Sequence, residues 1–300
     1  MDYFSIIKKA FKVSLKNRFL WIFGILAGGT AGVSSFNFNM PSSGSSDSLD
    51  KVFGKDLSNI DWATFWTNYG FIILVIIGIL AVLSIIFFIL SLISQGALVG
   101  AAEKIEKDQQ TEFGASFMVG WHNFWRIWGL NITLLLIILI GLSLLIIPVC
   151  ILVIIDAYAS AWVIGILFFI VNVLLWIVVG FISPYALRVV VLKKHSVFES
   201  IRGALHFVRD NLLEVLVMYL LLMVVGFAVG IAAVLVGLIL MAILFVIGLG
   251  LYYISMVALV IYTIIAVLAL FILCLAFSGA YATFTSTVLT FTYLKLTNKD

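Results

Sequence analysis

The sequence predicts an all-α polytopic membrane protein. It has about six transmembrane helices in three parallel helix-pair repeats, each preceded by a cytoplasmic amphipathic interfacial helix. Three observations carry this. Of 300 residues, 64% are hydrophobic and only 10% charged, where soluble domains carry roughly 25% charged residues; the mean hydropathy is +1.28. No charged residue or His occurs between Val215 and Leu294, far more than the ~20 apolar residues a span needs. Finally, a short amphipathic segment recurs three times, each time ahead of a long apolar run. The runs are continuous and lack the period-2 alternation of a barrel strand, so they read as helices.

Residues 3–18 form the first amphipathic helix. Phe4, Ile7, Phe11 and Leu15 lie on one side, Lys8, Lys12 and Lys16 on the other. Lysines before an apolar run imitate a signal peptide, but the long helical stripe reads as a retained segment, with cleavage as the alternative. The first span follows, from about Phe19 to Val33. Gly24, Gly28 and Gly32 recur every four residues, a spacing that lets a second helix approach closely; a re-entrant or pore-lining segment is the alternative. A polar outer loop covers 34–67, with a short helix near Trp62 to Trp66. The second span runs from about Gly70 to Gly100 into the charged segment Glu103 to Asp108, where Glu103 and Lys107 make an i,i+4 pair.

The second amphipathic copy is Phe113 to Trp128, with Phe113, Phe117, Trp121, Phe124 and Trp128 as its stripe, a composition suited to the headgroup region. The third span is about Leu130 to Val153 and the fourth about Trp162 to Leu192, kinked or re-packed at Pro184. The third copy is Ser196 to Asn211. Its stripe is Phe198, Ile201, Leu205, Val208 and Leu212, and Ser196 with Glu199 has capping-box spacing. Two long spans then fit within Leu212 to Leu294, joined by a Gly-rich turn between Gly237 and Gly250, although the length allows four.

Constant offsets support the repeat. Gly120, Phe124 and Arg126 match Gly203, Phe207 and Arg209 at 83; Phe4, Ile7, Ala10 and Asn17 match Phe198, Ile201, Ala204 and Asn211 at 194. Ser94 and Ala97 correspond to Ser183 and Ala186, with Ser278 as third member. One integral membrane domain, 1–300, thus divides into units of approximately 1–110, 111–195 and 196–300. Two spans per unit make the repeat parallel, unlike the inverted halves of many transporters. Lys8, Lys9, Lys12, Lys16, Arg18, Lys104, Lys107, Arg126, Arg188, Lys193, Lys194, Arg202, Arg209 and Lys295 all fall on one side, against Lys51 and Lys55 on the other. Both termini are therefore expected in the cytoplasm, the protein in the plasma membrane, and the basic helices on its anionic leaflet.

The densest polar cluster at a membrane edge is Arg202, His206, Arg209, Asp210 and Glu214. It reads as a solvated face, with a His general base as the sharper alternative. Asn172 near mid-span suits an interhelical hydrogen bond. Cys150 and Cys274 read as small packing residues, with no disulfide or metal spacing. No cofactor and no nucleic acid partner is expected. Ion- or proton-coupled carriers keep ionisable groups at mid-membrane, and these spans have none.

The segments SFMVGWHNFWRIWGL from Ser116 and SIRGALHFVRDNLL from Ser200, followed by paired spans, resemble the multi-pass membrane domain fused to some glycerophosphoryl diester phosphodiesterases, and related stand-alone uncharacterised prokaryotic membrane proteins. The phosphodiesterases' catalytic domain, a soluble barrel, is absent from these 300 residues, so the resemblance implies no catalytic residue. The expected function is non-enzymatic: binding, organising or moving lipid-like molecules. Two alternatives stand beside it. One is a scaffold or partner subunit, whose small-residue faces at Gly24 to Gly32 and at Gly226 and Gly230 meet a foreign helix. The other is a membrane-embedded enzyme acting at the cytoplasmic leaflet around His206.

Overall fold

The computed structural model describes residues 2–31, 62–253 and 255–297. Gly32, Lys51, Lys55 and the polar loop as far as residue 61 lie outside them. The described elements are all helices: α1 (Tyr3–Lys16), α2 (Leu20–Ala31), α3 (Trp62–Glu106), α4 (Phe113–Ile154), α5 (Tyr158–Lys193), α6 (Val197–Asp210), α7 (Leu212–Tyr252) and α8 (Met256–Thr297). Five of them, α3, α4, α5, α7 and α8, are long and apolar enough to cross a membrane. The expected first span corresponds to α2, whose 12 described residues fall short of that length.

The boundaries differ from the expected ones in three places. The Trp62 to Trp66 segment is not a separate helix but the start of α3. The second amphipathic segment and the third span are one continuous helix, α4: no Pro interrupts the chain near Trp128, and Asn131 donates its side chain back to the Ile127 carbonyl within the helix at 2.9 Å. The third hairpin turns between Tyr252 and Met256, not at a glycine between Gly237 and Gly250, which all lie inside α7. In lipid every backbone polar group needs an intrahelical partner, so glycine's taste for turns is overridden.

α1, the start of α4 and α6 each run antiparallel along the end of another helix. On α5, successive partners of α6 step backwards: Gly203 faces Val189, and the Phe207 ring lies 5.0 Å from that of Tyr185. On α8, Lys9 lies over Phe291, Phe11 meets Phe284, and Ser14 Oγ donates to the Ala280 carbonyl at 3.1 Å. The start of α4 packs in the same way on the end of α3, where a Cβ on Gly120 would stand 2.0 Å from the Ile93 carbonyl oxygen. α2 fits between α3 and α8, and the ends of α3, α5 and α8 meet one another.

The large apolar stripes are only partly packed: Ile7, Phe117, Phe124, Ile201 and Val208 are half-buried against the core, while the most buried positions are mostly smaller. Ile6, Ala10, Val13 and Ser14 are buried in α1, Ser116, Gly120, Asn123 and Ile127 in α4, and Ser200 and Ala204 in α6. Phe4 (78% exposed), Trp121 (57%) and Phe198 (76%), at the stripes' outer edges, point away from the protein. Lipid is as apolar as leucine, so nothing drives large side chains inward, while small residues let backbones touch.

Each long helix therefore has two parts. In α3, residues 71–88 are exposed apart from half-buried Ile73, and Leu92 to Ala102 are largely buried. That exposed arm spans about 27 Å at 1.5 Å per residue, close to the ~30 Å hydrocarbon core of a bilayer. The arms of α7 and α8 contain no buried residue from Met223 to Ser278 among those described. The arms are paired rather than bundled: Asn172 Nδ2 on α5 donates to the Gly141 carbonyl of α4 at 2.9 Å, and the Tyr262 hydroxyl on α8 donates to the Leu244 carbonyl of α7 at 2.9 Å. Asn172 thus makes its expected interhelical bond. Cys150 and Cys274 are both free and exposed on the arms, not packed.

Candidate functional site

The packed base is built where α6 follows α5. Ser196 caps α6 and the capping box is complete: Glu199 N–H donates to Ser196 Oγ at 3.4 Å, and Ser196 N–H donates to Glu199 Oε2 at 3.1 Å. Hydrogen bonding to the Ser196 side chain and backbone, with a smaller pull from His195 at 3.7 Å, holds the Glu199 carboxyl below the usual carboxylate range. The reversal before it is made by Lys194, whose φ of 56° is left-handed; Asp108 (φ 55°) turns the chain in the same way between α3 and α4.

This corner encloses a groove of about 760 Å³. One wall is a face of α6: Glu199, Gly203, Phe207 and Asp210. The opposite wall is the last turns of α8, with Tyr293, Leu296 and Thr297, and the end of α5 supplies Val189 and Lys193. Phe207 and Tyr293 meet at 4.9 Å between ring centroids and form an aromatic floor. Since α6 climbs α5 toward its arm, Asp210 and Asn211 close the end of the groove nearer the apolar arms. His195, Glu199 and Lys193 lie at the other end.

The structure divides the cluster expected at Arg202, His206, Arg209, Asp210 and Glu214. Arg202, His206 and Arg209 are exposed on the outer surface of α6, Glu214 is half-buried in α7, and Asp210 alone lines the groove. Among the described residues, none of the five has an ion-pair partner within 4.0 Å. No His, Cys, Asp or Glu grouping able to hold a metal occurs among the described residues. Three of the candidate packing glycines, Gly24, Gly28 and Gly226, face a neighbouring helix. An added Cβ on Gly24 would stand 2.0 Å from the Gly279 carbonyl oxygen, Gly28 faces Ala282 and Ser278, and Gly226 abuts the Tyr281 hydroxyl. Gly230 has open space beside it.

One feature escaped the sequence reading. Arg188, placed there among the basic residues of the cytoplasmic side, is 3% exposed. Its guanidinium donates to the Pro184 carbonyl and, at 3.1 Å, to the Ser286 carbonyl of α8. Nearby, the buried hydroxyls of Tyr185 and Tyr219 have no hydrogen-bond partner. Arg188 therefore clips α5 to α8 through main-chain oxygens, not through a carboxylate. Its spacing from Lys193 looks the same in sequence whether the side chain reaches solvent or the core, so no pattern announced it.

No curated protein and no solved structure matches the chain, so the likeness to phosphodiesterase membrane domains rests on the segments from Ser116 and Ser200 alone. Residues 15–296, from the last turn of α1 to the last turn of α8, match a family of unknown function. The chain belongs to that family, DUF7544.

Proposed function

We propose that the protein is a non-enzymatic component of the plasma membrane that binds, organises or moves lipid-like molecules between its apolar hairpins. The observation that carries this is the split within each long helix. The base is packed, while the most apolar windows of the arms are almost wholly exposed. Splayed arms of bilayer length present acyl-chain-sized surfaces between hairpins, and a neighbouring protein helix is not needed to cover Gly24, Gly28 or Gly226, which α8 already meets.

The same reading takes α1–α3, α4–α5 and α6–α8 as three parallel units with α2 as a sixth span. Each unit's amphipathic segment rests on the second span of the unit before it, and α1 closes the ring on α8. Two details support the pairing of α1 with α6: Ala10 and Ala204 are each fully buried, and Asn17 and Asn211 each donate a side-chain bond to the carbonyl four residues back at 3.2 Å. The Lys and Arg residues around this base put both termini in the cytoplasm on an anionic leaflet.

Purified protein in vesicles tests the proposal through lipid co-purification and lipid exchange between leaflets or vesicles. Retained lipid with accelerated exchange is the expected result. Protein that carries no lipid and moves none overturns it.

A further inference from the structure

The paired positions of α1 and α6 include one pointed difference. The offset that aligns Ala10 with Ala204 and Asn17 with Asn211 places Lys9 opposite Gly203. On α1, the Lys9 ammonium pairs with Glu106 at 2.9 Å and sits 5.4 Å over the Phe291 ring. It thereby occupies the space between α1 and the end of its own unit's second span. On α6 the matching position has no side chain, and the matching space is the groove.

Packing does not require a glycine there. A Cβ on Gly203 would meet Val189 Cγ1 at 3.6 Å, an ordinary contact, unlike Gly120, where the Ile93 carbonyl oxygen would stand at 2.0 Å. A mid-helix glycine costs roughly 0.5–1 kcal/mol relative to alanine. Its effect at 203 is to leave the groove wall without a side chain one turn before Phe207 and two turns before Asp210.

The groove's charges are uneven. At one end His195 lies 3.7 Å from Glu199, with Lys193 beside them in the lining. At the end nearer the arms, Asp210 has no ion-pair partner within 4.0 Å among the described residues, and the Phe207 and Tyr293 rings line the same groove. A carboxylate next to an aromatic floor is the environment Lys9 finds on α1, and it suits an ammonium group.

We propose that this groove binds the primary ammonium of an aminophospholipid headgroup, with Asp210 and the Phe207–Tyr293 floor receiving the charge that Lys9 supplies internally in the first unit. The assignment rests on the lipid-binding reading above and names the headgroup it selects.

The test uses the full chain, reconstituted in vesicles holding equal amounts of ethanolamine- and glycerol-headgroup phospholipid, and lipid retained after purification is quantified by mass spectrometry. The wild type should enrich the ethanolamine lipid about fivefold, the selectivity that one ammonium–aromatic contact can give. Gly203→Lys, which puts an ammonium into the groove as Lys9 does on α1, and Asp210→Asn should each return the ratio to that of the vesicles. Gly203→Ala should keep the enrichment, and together with the exposed Asp210→Asn it keeps the test intact if Gly203→Lys does not fold.

Lipid retained without headgroup preference, or enrichment that survives both Gly203→Lys and Asp210→Asn, overturns the groove assignment and leaves the lipid-binding reading standing. No lipid retained overturns that reading and this assignment with it. If soluble glycerophosphoethanolamine displaces the bound lipid's headgroup at equal concentration, the ligand is a solute and the membrane source is wrong.

Discussion

Replacing Gly24 with alanine puts a methyl carbon 2.0 Å from the Gly279 carbonyl oxygen and 2.6 Å from Thr283 Oγ1. A carbon needs about 3.5 Å from such neighbours, so α2 and α8 must part by roughly 1.5 Å. Two costs follow. Overpacking in a tight contact costs ~1–3 kcal/mol. The Thr283 hydroxyl, which lies 2.9 Å from the Leu20 carbonyl across the same contact, loses an interhelical hydrogen bond worth about 1 kcal/mol. The sum is about 2–4 kcal/mol. Gly28, one turn further along the same helix, is the internal control. Its added Cβ would lie 3.6 Å from Ala282 Cβ and 3.7 Å from Ser278 Oγ, so Gly28→Ala should be neutral, or stabilising by up to ~1 kcal/mol through helix propensity. Unfolding of both variants in detergent micelles, followed by circular dichroism against temperature or denaturing detergent, reads the difference. Equal shifts for the two, or a Gly24→Ala variant as stable as wild type, would refute the contact between α2 and α8.

Other consequences can be read by similar means. Asn172→Leu should lose the bond to the Gly141 carbonyl and weaken the α4–α5 hairpin by about 0.5–1.5 kcal/mol in the same unfolding assay. Arg188→Lys should destabilise by about 1.5–3 kcal/mol, since a point charge cannot fork to two carbonyls, and Arg188→Met should cost less because it removes the buried charge as well. Ser196→Ala should cost ~1 kcal/mol through loss of the helix cap. Because the folded Glu199 carboxyl is held below its unfolded range, its contribution is present above the usual carboxylate range and lost as pH falls through the folded value. Protection against amide exchange at the start of α6, taken relative to the intrinsic rate at each pH, should therefore fall with acid in the wild type and lose that dependence in Glu199→Gln. With cytoplasmic termini, Cys150, near the outer end of α4, should react with an impermeant maleimide added outside cells, and Cys274, inside an arm, should not.

The long apolar helices were legible because long uncharged runs have one physical outcome in lipid. Local chemistry was legible too: the Ser196 capping box closes as its spacing implied, and Lys107 bonds Glu103 at 2.7 Å. Which face packs was not. Phe4, Trp121 and Phe198 belong to stripes read as facing the membrane interface, and they are exposed, but no pattern singled out Ala10, Gly120 and Ala204 as the residues that turn inward. Ends were illegible for a related reason. Glycines at 237, 248 and 250 look like turn residues, yet with no water to satisfy a broken backbone the helix continues to Tyr252. The groove lay half in view. Asp210 stood out as a charge, while Gly203 mattered only once its counterpart Lys9 was seen bridging to Glu106.

The most direct test of the account is a structure of the protein determined in native-lipid nanodiscs. It should show ordered acyl chains between the proposed hairpins, against α3 residues 71–88 and against the arms of α7 and α8, with the base held together by α1 on α8. Arms that close on one another or on a second protein, leaving no lipid between hairpins, would contradict it.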